Sequence, residues 1–300
     1  MATMTAAPLS PKSEVFESQR GTLFGIAYRM LGSAAEAEDA VQDTWLRFHG
    51  STDIESPRAY LTTIVSRICI DRLRSARARR EVYPGTWLPE PLVEPIDAEP
   101  GPEQVAGGQE LISYASMVLL ETLAPAERAV FVLSEAMGFS HREIAEKLGI
   151  TEAASRQTLH RARRHLADRE QRYTATAEDR RRLTEAFLRA SGSGDIASLT
   201  DLFAEDIVVT SDGGGKRVAA LNPIHGRDRV LRFLVGTMEK EPADEVRLVR
   251  VNGDPGLVTW RRGKVQLVAS FDWDEMGKLR TLHMMRNPDK YTHVRVEAAD

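Results

Sequence analysis

Cysteine is almost missing from this sequence: one residue, Cys69, in 300. A single thiol cannot close an internal disulfide, and its apolar setting, "IVSRICIDRL", reads as a buried and inert side chain. Long apolar runs are missing too. No stretch approaches the length that spans a bilayer, and "MATMTAAPLSPKSEVF" lacks an apolar run of signal-peptide length. A cytoplasmic protein without membrane association is therefore expected. Basic residues are missing from 81–110, which hold seven acids, six prolines and no Lys or Arg. Proline blocks helix interiors and central strands, so that stretch reads as a linker. A phosphate loop is also missing. "VVTSDGGGKRVAAL", residues 207–220, has Thr210 and Arg217 where a Walker loop needs Gly and Ser or Thr. It reads instead as a tight turn between two strands, "IVVTS" and "KRVAAL".

What remains is ordinary in bulk and uneven in detail. The chain is 42% apolar and 28% charged, long enough for two or three domains. Its formal net charge of −4 hides a local asymmetry: residues 57–80 carry seven arginines against one acid, Asp71. Before the linker the pattern is helical, with Phe16, Leu23, Phe24, Ile26, Ala27 and Leu31 at helical spacings and Gly32 as a C-terminal cap. A second helix starts acidic and ends near Arg47, the order the helix dipole favours. Ser56-Pro57 then opens a third. After the linker come several short helices with breaks near Pro125, Gly138 and Gly149. From about residue 178 two helices lead into the glycine turn, then a helix at 227–240 and four strand-like runs, "VRLVRV", "GLVTWRR", "KVQLVASFDW" and "KLRTLHMMR". That order predicts an α+β module with helices on one face of a curved sheet.

Two stretches carry recognition chemistry. In "FSHREIAEKLG", Ser140 and Glu143 form a capping box, Ile144, Ala145 and Leu148 a core face, and Gly149 a stop. Thr151 caps the next helix, where Ala154, Leu159, Ala162 and Leu166 take one side and Ala153, Arg156, Gln157, His160 and Arg164 the other. This is a helix-turn-helix whose second helix suits the major groove: Arg pairs guanine, Gln pairs adenine, and Arg161, Arg163 and Arg164 suit phosphates. The second stretch is the helix from Pro57, with Leu61, Ile64, Val65 and Ile68 facing inward and Thr63, Arg67, Arg74 and Arg77 forming an outward stripe able to neutralise phosphates. Residues 49–56 form a polar loop able to receive an unstacked base.

"AEDAVQDTWLRF" (37–48), "SPRAYLTTIVSRICIDRLRSARARR" (56–80) and the helix-turn-helix resemble the second and fourth sigma domains of extracytoplasmic-function sigma factors, across residues 16–168. "TWLPEPL" (86–92), "DGGGK" (212–216) and "NPDK" (287–290) resemble signatures of the group that carries a fused SnoaL-like domain of the NTF2-like fold. The fold class implied is multidomain: two all-α sigma domains, at 1–84 and 113–170, an acidic proline-rich linker at 85–112, and a C-terminal α+β NTF2-like cone at 171–300. The resemblance implies core RNA polymerase binding by Asp39, Gln42, Asp43 and Trp45. It implies contacts to promoter DNA by Arg67, Arg72, Arg74 and Arg77 at the minus-ten element, and by Arg156, Gln157, His160, Arg161 and Arg164 at the minus-thirty-five element. Arg67 stands where many members have asparagine.

Trp87, Leu88, Pro89, Asp212, Lys216, Asn287, Pro288, Asp289 and Lys290 are expected to form an interdomain contact in which the linker docks on the C-terminal domain. Replacing Asp212 or Asp289 by Ala is expected to change transcription while leaving thermal unfolding nearly unaltered. The fold also implies a cavity, with Asp212, His225, Asp272 and His283 as candidate occupants and an unidentified small ligand as a candidate partner. Neither a cofactor nor a metal is expected, nor an enzyme. A helix-turn-helix activator fused to a small-molecule-binding or isomerase-like domain remains the alternative; "AEDAVQDTWLRF" is the feature such an activator does not need.

Overall fold

The computed structural model describes residues 10–98, 112–167, 176–292 and 294, with the backbone alone along 76–81. The described residues fall into two compact units. Those within 1–75 and 123–165 form the first; those within 76–99, 111–122 and 166–300 form the second. The described part of the expected linker, residues 85–98 and 112, groups with the C-terminal part of the chain.

The first unit is helical. α1 (Pro11–Leu31) opens on Ser10, whose side chain accepts from the Ser13 amide, and stops at Gly32, where φ of 72° lets its N–H reach the Tyr28 carbonyl. Ser33 caps α2 (Ala34–His49) in the same way. α3 (Pro57–Glu81) begins at Pro57. Of the apolar positions read from the sequence, Leu23, Ile26, Ala27, Leu31, Leu61 and Val65 all lie at 1% exposure or less. Cys69 is buried among them, and burial pushes its thiol up to about 12, which keeps it protonated and inert. α5 (Pro125–Phe131) runs into a π-helical turn, Val132–Ala136, and then α6 (His141–Leu148) and α7 (Glu152–Ala167). Val130, Leu133, Ile144 and Leu159 make their shared core.

The second unit is built on one seven-stranded sheet, in the order β1-β4-β5-β6-β7-β2-β3. β1 is Val93–Pro95, β2 Phe203–Asp212, β3 Ile224–His225, β4 Glu245–Val251, β5 Asp254–Arg261, β6 Lys264–Trp273 and β7 Leu279–Met285. β2 runs parallel to β7; the other pairs are antiparallel. Strand alternation gives the sheet two buried faces. On one, Leu257, Ala269, Phe271, Leu282 and Met284 meet α8 (Ala177–Ser193), α9 (Ile196–Leu202) and α10 (Arg227–Lys240) through Phe187, Leu199, Val230 and Leu234. On the other, Val249, Val258, Val268 and Met285 pack with Leu88 and Tyr114.

Two expectations are corrected here. The acidic stretch is not all loop: Val93–Pro95 adds an edge strand to β4, and α4 (Tyr114–Leu120) follows. An edge strand tolerates proline because its outer N–H has no ladder partner to lose, which is how Pro95 fits. "KRVAAL" is not a strand either. β2 pairs with the two-residue β3 instead, at Val208 to His225 and Val209 to Ile224. The turn folds back on itself, the Lys216 and Arg217 amides both donating to the Gly213 carbonyl at 3.0 Å. That return leaves no extended chain to pair.

Candidate functional site

In the first unit the turn of the helix-turn-helix is set by local chemistry. The Ser140 and Glu143 side chains exchange hydrogen bonds with each other's backbone amides, and Gly149 closes α6 at φ 67°. The Ala154 amide donates to Thr151 Oγ1 at 3.1 Å as α7 begins. Leu159, Ala162 and Leu166 are buried, while Arg156, Gln157, His160, Arg161 and Arg164 are exposed on the other side. Arg156 is paired with Glu152 one turn back, and Arg163 with Glu135 at 2.8 Å.

On α2, Asp39 and Gln42 are exposed, whereas Asp43 and Trp45 are half-buried. Trp45 lies against Phe16, Phe48 and His49, with ring centroids 5.0, 6.3 and 5.1 Å away. Leu46, unnoticed in the sequence, is 62% exposed one turn beyond Gln42; an apolar side chain left in water at that spacing was the available signal. Arg72 does not join the outward stripe. It crosses to α2, donating to Asp43 Oδ2 at 2.6 Å and to the Glu36 carbonyl at 2.9 Å. Arg74 is exposed, and Arg67 donates to the Lys147 carbonyl at 3.0 Å. The Arg77 side chain lies outside those described.

The second unit brings together three segments far apart in sequence. Asp212, with no exposed surface, accepts from Tyr83 Oη at 2.6 Å, the Leu88 amide at 2.9 Å, the Gly214 amide at 3.0 Å and Lys290 Nζ at 2.8 Å. Lys290 also donates to the Leu88 carbonyl at 2.6 Å and sits 3.1 Å from the centroid of the Trp87 ring, a cation held against an aromatic face. Asn287 donates to Tyr83 Oη at 2.9 Å and accepts from the Asp289 amide at 3.1 Å. Burial and the Asp212 carboxylate push the Tyr83 phenol far above its usual range, so it stays a donor. Outside this buried group Lys216 and Asp289 form an exposed pair at 2.6 Å.

The glycines of the turn are explained by close approach. At Gly214, φ 60°, a Cβ would lie 2.3 Å from the Asn287 amide nitrogen. Leu88, Pro89 and Glu90 are buried, and Tyr114 Oη donates to the Pro89 carbonyl at 2.8 Å. Pro288 is half-buried at the start of a short 3₁₀ turn. Sequence reasoning missed Tyr83 and Asn252. The Asn252 carboxamide oxygen accepts from the Leu92 amide at 3.0 Å, fixing the strand edge. An aromatic pair four residues apart in an acidic proline-rich stretch was the signal for Tyr83.

The α-helical face of the sheet encloses a cavity of about 390 Å³, lined by Phe187, Leu199, Leu234, Leu257 and Met284 among others. Asp212, His225, Asp272 and His283 are not among its lining residues, which corrects the expectation that they occupy it. On β7, Leu282 and Met284 point into the cavity, so alternation turns His283 to the opposite face. There it is 5% exposed, with Thr210 Oγ1 at 2.7 Å from Nδ1 and Asp272 Oδ2 at 3.3 Å from Nε2. The cavity's polar end is supplied by Glu241, Arg286 and Gln266.

An exposed recognition helix, an acidic and aromatic α2, an arginine-bearing α3 and a fused α+β domain define a DNA-binding protein of the sigma-factor class. The family models agree: Sigma-70 region 2 matches residues 15–79, Sigma-70, region 4 matches 117–166, and the SnoaL-like domain matches 184–286. The chain is 36% identical over 290 residues to the ECF RNA polymerase sigma factor SigJ of Mycobacterium tuberculosis, 92% of each chain being covered. It is 29% identical over 296 residues to the probable ECF sigma factor SigI of the same species, covering 96% of this chain and 97% of the relative. The crystal structure of M. tuberculosis SigJ superposes with a TM-score of 0.78 at 34% identity, covering 95% of this chain and all of that one. The chain belongs to the ECF RNA polymerase sigma factors, and to those with a SnoaL-like C-terminal domain.

Proposed function

We propose that this sigma factor acts in the cytoplasm, docks on core RNA polymerase through the α2 face of Asp39, Gln42, Asp43 and Trp45, and recognises two promoter elements. The upstream element is read by Arg156, Gln157 and His160 on α7, with Arg161 and Arg164 on phosphates. The downstream element engages α3 through Arg67, Arg74 and Arg77, with Arg72 bracing α3 against α2. The protein performs no covalent chemistry of its own. Its C-terminal unit acts in cis: the described residues 82–98 and 112–122, which lie between or beside the two sigma regions, group with that unit, so whatever fixes the Asp212 cluster constrains the chain leading from one region to the other. That cluster is the observation supporting regulation in cis. Matches to both sigma regions favour this reading over a helix-turn-helix activator.

The test is reconstitution. Core polymerase with this chain initiates at a promoter selected from random DNA, and core alone does not. A chain that binds duplex DNA tightly by itself yet gives no initiation with core polymerase sinks the reading.

A further inference from the structure

We propose that the cavity of the second unit binds a single-chain amphiphile whose anionic head, a carboxylate or a phosphate, rests among basic side chains at the cavity mouth. The inference goes beyond the transcription reading and does not rest on it.

The interior is apolar, and such a space favours a hydrocarbon chain over water, which finds few partners there. Next to it, Arg217, Arg261, Arg262 and Lys264 line a second depression, and Gln266 lines both that depression and the cavity. A bulge explains the sharing. In the β5–β6 pairing Trp260 faces Val265 and Thr259 faces Leu267, so Gln266 is the extra residue. The bulge turns it to the cavity side, where its Nε2 donates to the Glu241 carbonyl at 3.3 Å. The hairpin tip presents its arginines at some conformational cost: Arg262 adopts φ 53°, a left-handed conformation that favours Gly or Asn.

Charge at the mouth does not balance. Glu241 is occupied by Arg286, which holds its carboxyl below the usual carboxylate range, and Asp244 accepts from the Arg262 amide. Among the described residues none of the four rim cations has an ion-pair partner. Four cations without an ion-pair partner, of which Arg261 alone also acts at longer range on the Glu241 carboxylate, lie beside an apolar chamber and form a local field that an anion relieves. Apolar interior and cationic rim together define the ligand: one chain inward, one anionic head outward.

Titration calorimetry of the full chain with decanoate, decyl phosphate and decyltrimethylammonium, each below its micelle concentration, tests this. Saturable one-site binding is expected for at least one anionic compound and none for the cationic one; the tighter anion identifies the head group. Arg261→Gln with Lys264→Gln, the first half-buried and the second exposed, is expected to weaken that binding at least tenfold. Gly192→Leu is expected to block it from inside, because Gly192 lines the cavity and a Cβ there meets no atom within 4 Å. The proposal is overturned by absence of saturable binding, by equal binding of the cationic compound, or by rim variants that bind as the parent does.

Discussion

Asp212 and Asp289 lie in segments that meet in the second unit, yet they stand at opposite ends of an energetic scale. Asp212 is fully buried and satisfies four donors, so Asp212→Ala leaves the Lys290 ammonium, itself 7% exposed, without its carboxylate. Removing one member of a buried pair costs about 3–5 kcal/mol, enough to lower the unfolding temperature of the second unit visibly. The expectation that this substitution spares folding is therefore revised. The Asp289 and Lys216 side chains remain 60% and 56% exposed, and a screened surface pair contributes less than about 1 kcal/mol. Asp289→Ala is the cleaner probe of regulation: calorimetric unfolding should barely move, while promoter-directed transcription changes if the cluster acts in cis. Transcription equal to the parent's, with unfolding unchanged, would remove Asp289 from the mechanism.

At the scale of elements, α7 separates two kinds of contact along one exposed face. Arg156→Ala or Gln157→Ala is expected to change preference among upstream-element sequences by about 1–3 kcal/mol, the worth of a good bidentate base contact. Arg161→Ala and Arg164→Ala should weaken binding on all sequences alike and flatten the salt dependence. Competition binding of holoenzyme on a panel of upstream variants separates the two; uniform loss from the Arg156 and Gln157 changes would make them phosphate contacts. α3 divides similarly. Arg74 is free in solvent apart from Asp71 at 3.7 Å, whereas Arg67 must give up the Lys147 carbonyl before it can meet a base.

Across the whole molecule, the stretch 82–98 has structure only because the C-terminal sheet supplies it. Leu88 is buried in the same cluster as Val249, Val268 and Met285, and β1 hydrogen-bonds to β4. Chymotrypsin, which can cut after Trp87 and Leu92 but not at Tyr83-Pro84 or Leu88-Pro89, should spare this stretch in the full chain and cleave it rapidly once residues 176–300 are removed. Equal cleavage in both would mean that the docking does not persist in solution.

Much of this was legible in sequence because it is written in neighbours. The caps at Ser10, Ser33 and Ser140, the stops at Gly32 and Gly149, and the split faces of α7 depend on residues three or four apart, and the local pattern carried them. The four long strands were legible through their turns. The sequence motifs named Trp87, Leu88, Asp212, Asn287 and Lys290 as segments that meet, but not which atoms pair or how deeply each is buried. That Tyr83, Leu88 and Lys290 would donate to one buried carboxylate, and that a proline-rich acidic stretch would add an edge strand to β4, are contacts between segments far apart in the chain, and that His283 would face away from the cavity follows from the register of β7 against β2 and β6. Register is a long-range property: the period-two alternation names two faces, and only the packed sheet determines which one encloses the cavity.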